Sequence, residues 1–230
     1  MAGAHSSLIL AKLNTPHIEA LVSNEKSVTS QSNSDDLSYG WEEIAQDFIS
    51  SRSSIGLATI ENWGKSLKSG QVLLDIGCGF GDPYTQYFLD KGVSVFGIDA
   101  SKTLIQEYMK RFPAAFAKCE SAETSPFFSR KFDAILSVGL IFLLPNSTQI
   151  SVLRKMAVAL KEGGKLLFSA PCQIVGWDDL LTGRKSMSLG REKYINTLNE
   201  HGLSLVDEYT DEGNNHYYNF QKSIVLEVAH

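Results

Sequence analysis

The run Asp75-Ile76-Gly77-Cys78-Gly79-Phe80-Gly81 places an acid and three alternating glycines where an apolar stretch, Val72 to Ile76, ends. Glycines at that spacing let the backbone take positive φ and approach a ligand closely, and the helix that follows would present unpaired N–H groups to polar or anionic atoms. A dinucleotide-binding G-x-G-x-x-G needs a third glycine at position 82, where this chain has Asp82, an acid that would repel a pyrophosphate. One βαβ unit further on, Gly97-Ile98-Asp99 ends a second apolar stretch with a carboxylate able to accept both hydroxyls of a ribose. The chemistry implied is recognition of a ribose without a pyrophosphate. Cys78 fits as a small residue packed within the turn rather than as a nucleophile.

Positioning these groups requires strands that deliver them to one edge of a sheet. Short apolar runs predict strands at Gln71 to Ile76, Val93 to Ile98, Ala114 to Ala117, Phe132 to Val138 and Lys165 to Ala170. Between them helices are expected at Asp82 to Asp90, Lys102 to Arg111, a short piece near Ser121 to Phe128, and Ser147 to Lys161, the last stopped by Gly163. Alternation of this kind predicts an α/β, doubly wound, mostly parallel seven-stranded sheet with helices on both faces. A long polar connection, Cys172 to Gly190, leads to a helix at Arg191 to His201, and Leu203 to Tyr209 with His216 to Phe220 read as a C-terminal antiparallel hairpin. Before the first strand, Trp41, Ile44, Ala45 and Phe48 mark one helix face, and a second helix is expected from Ser54 to Leu67.

The chain has 230 residues, 43% hydrophobic and 20% charged, which suits a single domain, residues 39–230, behind a partly disordered extension, residues 1–38, whose Ser-rich run 22–38 lacks apolar periodicity. A net charge of −5 offers no general attraction to a phosphate backbone, so no nucleic-acid partner is expected. No stretch approaches the roughly 20 apolar residues of a membrane span; Leu8 to Ala11 is too short. Cys78, Cys119 and Cys172 are scattered and odd in number, giving neither a disulfide framework nor a metal site and suiting the cytoplasm. No metal is expected, and the oligomeric state is not encoded in any pattern.

Four segments together resemble class I S-adenosylmethionine-dependent methyltransferases: Leu74 to Gly81 their first motif, Ile98-Asp99-Ala100-Ser101 their second-strand acid, Phe132 to Leu136 their fourth strand, and Leu160 to Leu166 their turn into the fifth. The resemblance spans roughly residues 70–222. It implies a Rossmann-like methyltransferase fold with S-adenosylmethionine as cofactor and S-adenosylhomocysteine as product. It further implies that Asp75 and the backbone from Gly77 through Cys78 and Gly79 to Gly81 hold the methionine end and Asp99 the ribose, that Ala100 and Ser101 also contact the cofactor, and that Glu120, Ser121 and Ala122 flank or bond the adenine. Leu140 would lie near the sulfonium.

Past the fourth strand, Ser137 to Pro145 is largely apolar and lacks both the Asn/Asp-Pro-Pro-aromatic motif of nucleic-acid amino-methyltransferases and the paired-Glu loop of arginine methyltransferases. An oxygen or nitrogen of a small-molecule acceptor is therefore expected. His216, with Tyr218 on the same strand face, is the candidate general base, since imidazole titrates near neutrality. Tyr39, Trp41, Trp177, Arg184 and Tyr217 are candidate substrate contacts, the first two as an N-terminal lid. Two alternatives stay open: a cofactor-binding regulatory subunit without turnover, and an NAD-dependent oxidoreductase, which Asp82 disfavours.

Overall fold

The computed structural model describes residues 36–224. The Leu8 to Ala11 patch and all but the last three residues of the expected extension lie outside the described residues. Two short helices, α1 (Ala45–Ser51) and α2 (Leu57–Gly64), precede the sheet. Then follow β1 (Val72–Ile76), α3 (Thr85–Asp90), β2 (Ser94–Asp99), α4 (Lys102–Arg111), β3 (Phe116–Cys119), β4 (Phe132–Ser137), α5 (Asn146–Ala159) and β5 (Leu160–Ser169). The described residues finish with β6 (Ile174–Asp178), β7 (Lys185–Leu189), α6 (Arg191–Asn199), β8 (Leu203–Thr210) and β9 (His216–Lys222).

Seven strands form one sheet in the order β3-β2-β1-β4-β5-β9-β8. The first five are parallel, and β9 enters antiparallel between β5 and β8. β1 is the central one of the five parallel strands, all five of its residues buried, which is why it reads as apolar apart from Asp75. Period-2 alternation divides the core into two layers: Leu74, Ile76, Ile98, Ile135 and Phe168 pack on one face, Leu73, Val95, Ala134, Leu136 and Leu167 on the other. The strand order reverses at β1 and β4. Outside their C-terminal ends a crevice opens, the place where doubly wound sheets bind ligands.

Three expectations need correction. Helix α1 starts at Ala45, because Tyr39 and Gly40 adopt positive φ (53° and 86°) and fold residues 37–44 into turns, although Trp41, Ala45 and Phe48 do share the buried side. The helix expected near Ser121 to Phe128 is reduced to a 3-10 turn, Phe127–Ser129; Pro126 disfavours helical geometry at the residue before it. The long connection Cys172 to Gly190 is a separate two-stranded hairpin, β6 with β7, pairing Trp177 with Ser186. Its inward positions on β7 are Ser186 and Ser188, so the hydrophobic alternation that marks a strand is missing there.

Candidate cofactor and acceptor site

At the end of β1 the chain turns through Gly77, Gly79 and Gly81 at φ of 73°, 55° and 91°. Gly81 has no room for a side chain: a Cβ there would meet the Phe112 ring at 2.5 Å. Both Gly77 and Cys78 donate their N–H groups to the Ile98 carbonyl, at 2.8 and 3.0 Å, locking the turn to β2. Cys78 is buried against Gly97, and burial pushes its thiol well above the ordinary range, with Asp75 and Asp99 adding to the rise. A nucleophilic thiolate is therefore disfavoured.

Asp99 projects from the end of β2 with its orientation fixed twice. Its Oδ2 accepts the Gly79 N–H at 2.9 Å and its Oδ1 the Ser101 N–H at 2.8 Å. Two main-chain N–H groups thus hold the carboxylate in place at the cavity wall. Ser101 itself caps α4, its Oγ accepting from the Leu104 N–H at 3.2 Å.

These groups line a cavity of about 820 Å³ with its open mouth included. Asp75, Gly77, Cys78, Gly79, Asp99 and Ala100 form its floor. Glu120 and Ala122 lie at the β3 side and Leu140 at the β4 side, with Tyr39 and Trp41 closing over from the N-terminal segment. Gly81, Ser101 and Ser121 stand behind this lining, shaping the turn, capping α4 and bonding Thr124 respectively.

The N-terminal segment is held over the cavity at three points. Asp36 pairs with Arg184 at 2.7 Å, Tyr39 donates to Glu123 Oε1 at 2.6 Å, and Glu42 receives the hydroxyls of Ser101 and Thr103. Burial raises the Tyr39 phenol, with Glu123 adding to it, so it remains a donor. Burial alone would raise Glu42 too, but the Ser101 and Thr103 hydrogen bonds outweigh it and hold the carboxyl below its ordinary value.

Arg52, just past α1, was not among the expected residues. Its Nε donates to the Asp82 carbonyl at 3.2 Å and its Nη2 to Tyr84 Oη at 3.1 Å, while its buried Nη1 has no partner. A buried guanidinium donor left over inside a cavity suits a carboxylate ligand. The sequence carried one signal: Arg52 is the only basic residue between positions 39 and 64. Phe48, Tyr84, Glu123 and Val138 also line the cavity without having been expected, because they come from four separate segments.

The expected catalytic pair is a correction. His216 and Tyr218 do share a face, their rings 4.7 Å apart, but it is the face covered by α6, where Tyr218 stacks on Phe168 and meets Tyr194. His216 Nε2 lies 3.0 Å from Glu208 Oε1, in a pair that Arg191 also joins, and neither residue reaches the cavity. Trp177 packs on Phe142 at 5.4 Å and Arg184 is committed to Asp36, so neither lines the cavity. Tyr217 points to the opposite face, fully buried, and donates to Asp211 Oδ2 at 2.8 Å. Among the described residues no cluster of His, Cys, Asp and Glu is arranged to hold a metal ion.

Residues 73–164 match a family described as a methyltransferase domain. The chain is 28% identical over 179 residues to tRNA (carboxymethyluridine(34)-5-O)-methyltransferase ALKBH8 of Macaca fascicularis, covering 75% of this chain and 26% of the relative. It therefore spans about a quarter of that relative's length. Among solved structures, the CcbJ methyltransferase of Streptomyces caelestis superposes with a TM-score of 0.64 at 13% identity, covering 83% of this chain and all of that one. A TehB-like SAM-dependent methyltransferase of Corynebacterium glutamicum gives 0.58 at 19%, covering 80% and 94%. At such identities the superpositions establish the fold, the one expected from the sequence. Residues 73–164 thus carry a methyltransferase domain, on a chain whose fold is that of S-adenosylmethionine-dependent methyltransferases.

Proposed function

We propose that this chain transfers a methyl group from S-adenosylmethionine to a nitrogen or oxygen of a small-molecule acceptor. The bound cofactor supplies a methyl carbon on a sulfonium: an acceptor lone pair bonds to that carbon, the C–S electron pair returns to sulfur to leave S-adenosylhomocysteine, and the acceptor sheds a proton to water. With so good a leaving group, positioning and exclusion of water suffice, and no strong general base is needed. Asp99 would hold the ribose and Arg52 the methionine carboxylate. Tyr39 and Trp41 would shield the reacting atoms from solvent.

The observation that carries the small-molecule reading is the charge of the cavity wall. Asp75, Asp82, Asp99, Glu120 and Glu123 face it against one cation, Arg52. A polyanion needs several lysines or arginines to neutralise its phosphates. The relatives favour a second reading, tRNA, since they are named for methylating a carboxymethyluridine. Incubation with methyl-labelled cofactor separates the two: label should pass to pools of small amines and alcohols, and transfer to total tRNA instead, weakening steeply with salt, would overturn the small-molecule reading. Absence of S-adenosylhomocysteine formation with every acceptor tested would leave the non-catalytic alternative standing. No described helix is long and apolar enough to cross a membrane, and the three cysteines are free, which supports a reducing compartment such as the cytoplasm.

A further inference from the structure

Behind Gly139 the main cavity adjoins a small niche, with which it shares Tyr84, Val138 and Gly139. The niche holds little more than one water-sized group. Its walls are Ile55, Val138 and Phe142, and its polar groups are Ser169, Asn215 and Tyr217, delivered by β5, the β8–β9 turn and β9. It lies beside Leu140, which touches the Gly77 turn: a Cβ on Gly77 would meet Leu140 at 3.1 Å. A group entering it would therefore sit next to the place where the methyl is presented, if the cofactor binds as proposed above.

What the polar groups can still offer is set by the buried Asp211 carboxylate behind them. Tyr217 gives its only hydroxyl hydrogen to Asp211 Oδ2 at 2.8 Å, so its oxygen can only accept. Asn215 Nδ2 donates to both Asp211 oxygens, at 3.0 and 2.8 Å, which turns the amide so that Oδ1 is the atom left over. Tyr84 Oη takes Arg52 and gives to the Ile55 carbonyl at 3.2 Å, and so is already spoken for. Ser169 Oγ accepts the Gly139 N–H at 2.7 Å and keeps its own hydrogen. Two acceptors, one donor and a carboxylate behind them match a group rich in N–H and mismatch an anion.

We propose that this niche receives the nucleophilic nitrogen of the acceptor, which makes the acceptor a primary amine. The proposal rests on the methyltransferase reading. In the reaction the nitrogen lone pair forms the bond to the methyl carbon as the C–S pair withdraws to sulfur, and the methylated ammonium releases one proton to solvent. Asn215 Oδ1 and Tyr217 Oη orient the nitrogen by accepting its hydrogens, and the Ser169 hydroxyl fixes the depth to which the head enters. Oxygen acceptors bring one hydrogen to two acceptors and fit less well.

Three small probes test this: methylammonium, methanol and acetate, titrated into the full chain saturated with S-adenosylhomocysteine while the Gly139 amide and Asn215 side-chain amide are followed by NMR. Methylammonium should shift both signals saturably, methanol about fivefold more weakly, and acetate not at all. Asn215→Leu and Tyr217→Phe should each weaken the methylammonium response about fivefold or more; the second keeps the ring and guards against a variant that fails to fold. Acetate or methanol binding as well as methylammonium, the same response in both variants, or no response would overturn the proposal. Failure of S-adenosylhomocysteine itself to bind, read by calorimetry beforehand, would remove the methyltransferase reading as well, whereas its binding with no methylammonium response removes the amine assignment alone.

Discussion

The cavity has a floor and a roof built by different means. The floor, from Asp75 to Asp99, is made of backbone: strand ends, a glycine turn locked to the Ile98 carbonyl, and a carboxylate held by two main-chain N–H groups. The roof, residues 36–52, has no ladder to hold it and depends on side chains, Asp36 on Arg184, Tyr39 on Glu123 and Glu42 on Ser101 and Thr103. Backbone ladders are part of the global fold, whereas contacts of this kind open locally at lower free energy. The floor is therefore suited to hold a cofactor and the roof to admit and release ligands.

Substitutions can sharpen or break that contrast. Asp99→Ala removes an acceptor of two main-chain N–H groups and, on the proposed binding mode, of the ribose hydroxyls. S-adenosylhomocysteine affinity by calorimetry should fall about 100-fold or more, roughly 2.7 kcal/mol. Unchanged affinity would remove the floor from cofactor binding.

Trp41→Ala deletes the roof's main apolar anchor, a ring 8% exposed that packs edge-on to Phe48 at 5.1 Å. A loss of about 2 kcal/mol in unfolding free energy is expected, with protection from hydrogen exchange lost first over residues 36–52. Uniform loss of protection across β1 as well would show that roof and floor form one cooperative unit.

Arg52→Met should weaken S-adenosylhomocysteine about tenfold and leave 5′-methylthioadenosine, which lacks the carboxylate, unaffected. Equal weakening of both ligands would assign Arg52 to packing on Phe48 and Tyr84 instead, which lie 5.7 and 5.5 Å from its guanidinium.

The smallest effect expected is one of pH. Glu42 and Asp36 are both held below their ordinary values, so the stability they add is fully present above the unfolded carboxylate range, about pH 4, and is lost as pH falls through their depressed folded values. Hydrogen-exchange protection factors for residues 36–44 should drop below about pH 4 while those of β1 hold, and Glu42→Gln should flatten that dependence. Parallel decline of both regions would mean that these carboxyls do not govern the roof.

The floor was legible because local rules dictate it. An apolar run long enough for a buried strand, glycines at positions requiring positive φ, and an acid one βαβ unit later all follow from spacing along the chain, and the structure places Gly77, Gly79, Gly81 and Asp99 around one turn. The doubly wound, mostly parallel character of the sheet was equally accessible, since strand–helix alternation restricts the topology to few solutions, whereas the strand order itself came from the structure. His216 misled because a strand's period-2 pattern says which residues share a face but not what covers that face. Only the insertion of β9 between β5 and β8, with α6 packed on that side, decided that His216 and Tyr218 turn away from the cavity while Tyr217 turns toward the niche.

Arg52 and the Ser169–Asn215–Tyr217 group belong to the same class of information. Their members lie far apart in the chain, and their chemical meaning comes from which hydrogens and lone pairs remain after packing, an Nη1 without a partner or an amide oxygen turned outward by Asp211. The sequence by itself determined the strands, the glycine turn and the acid that closes β2, because each is a local or periodic pattern. Tertiary structure alone decided the roof, the guanidinium and the niche, because leftover hydrogen-bonding capacity is a property of the packed whole.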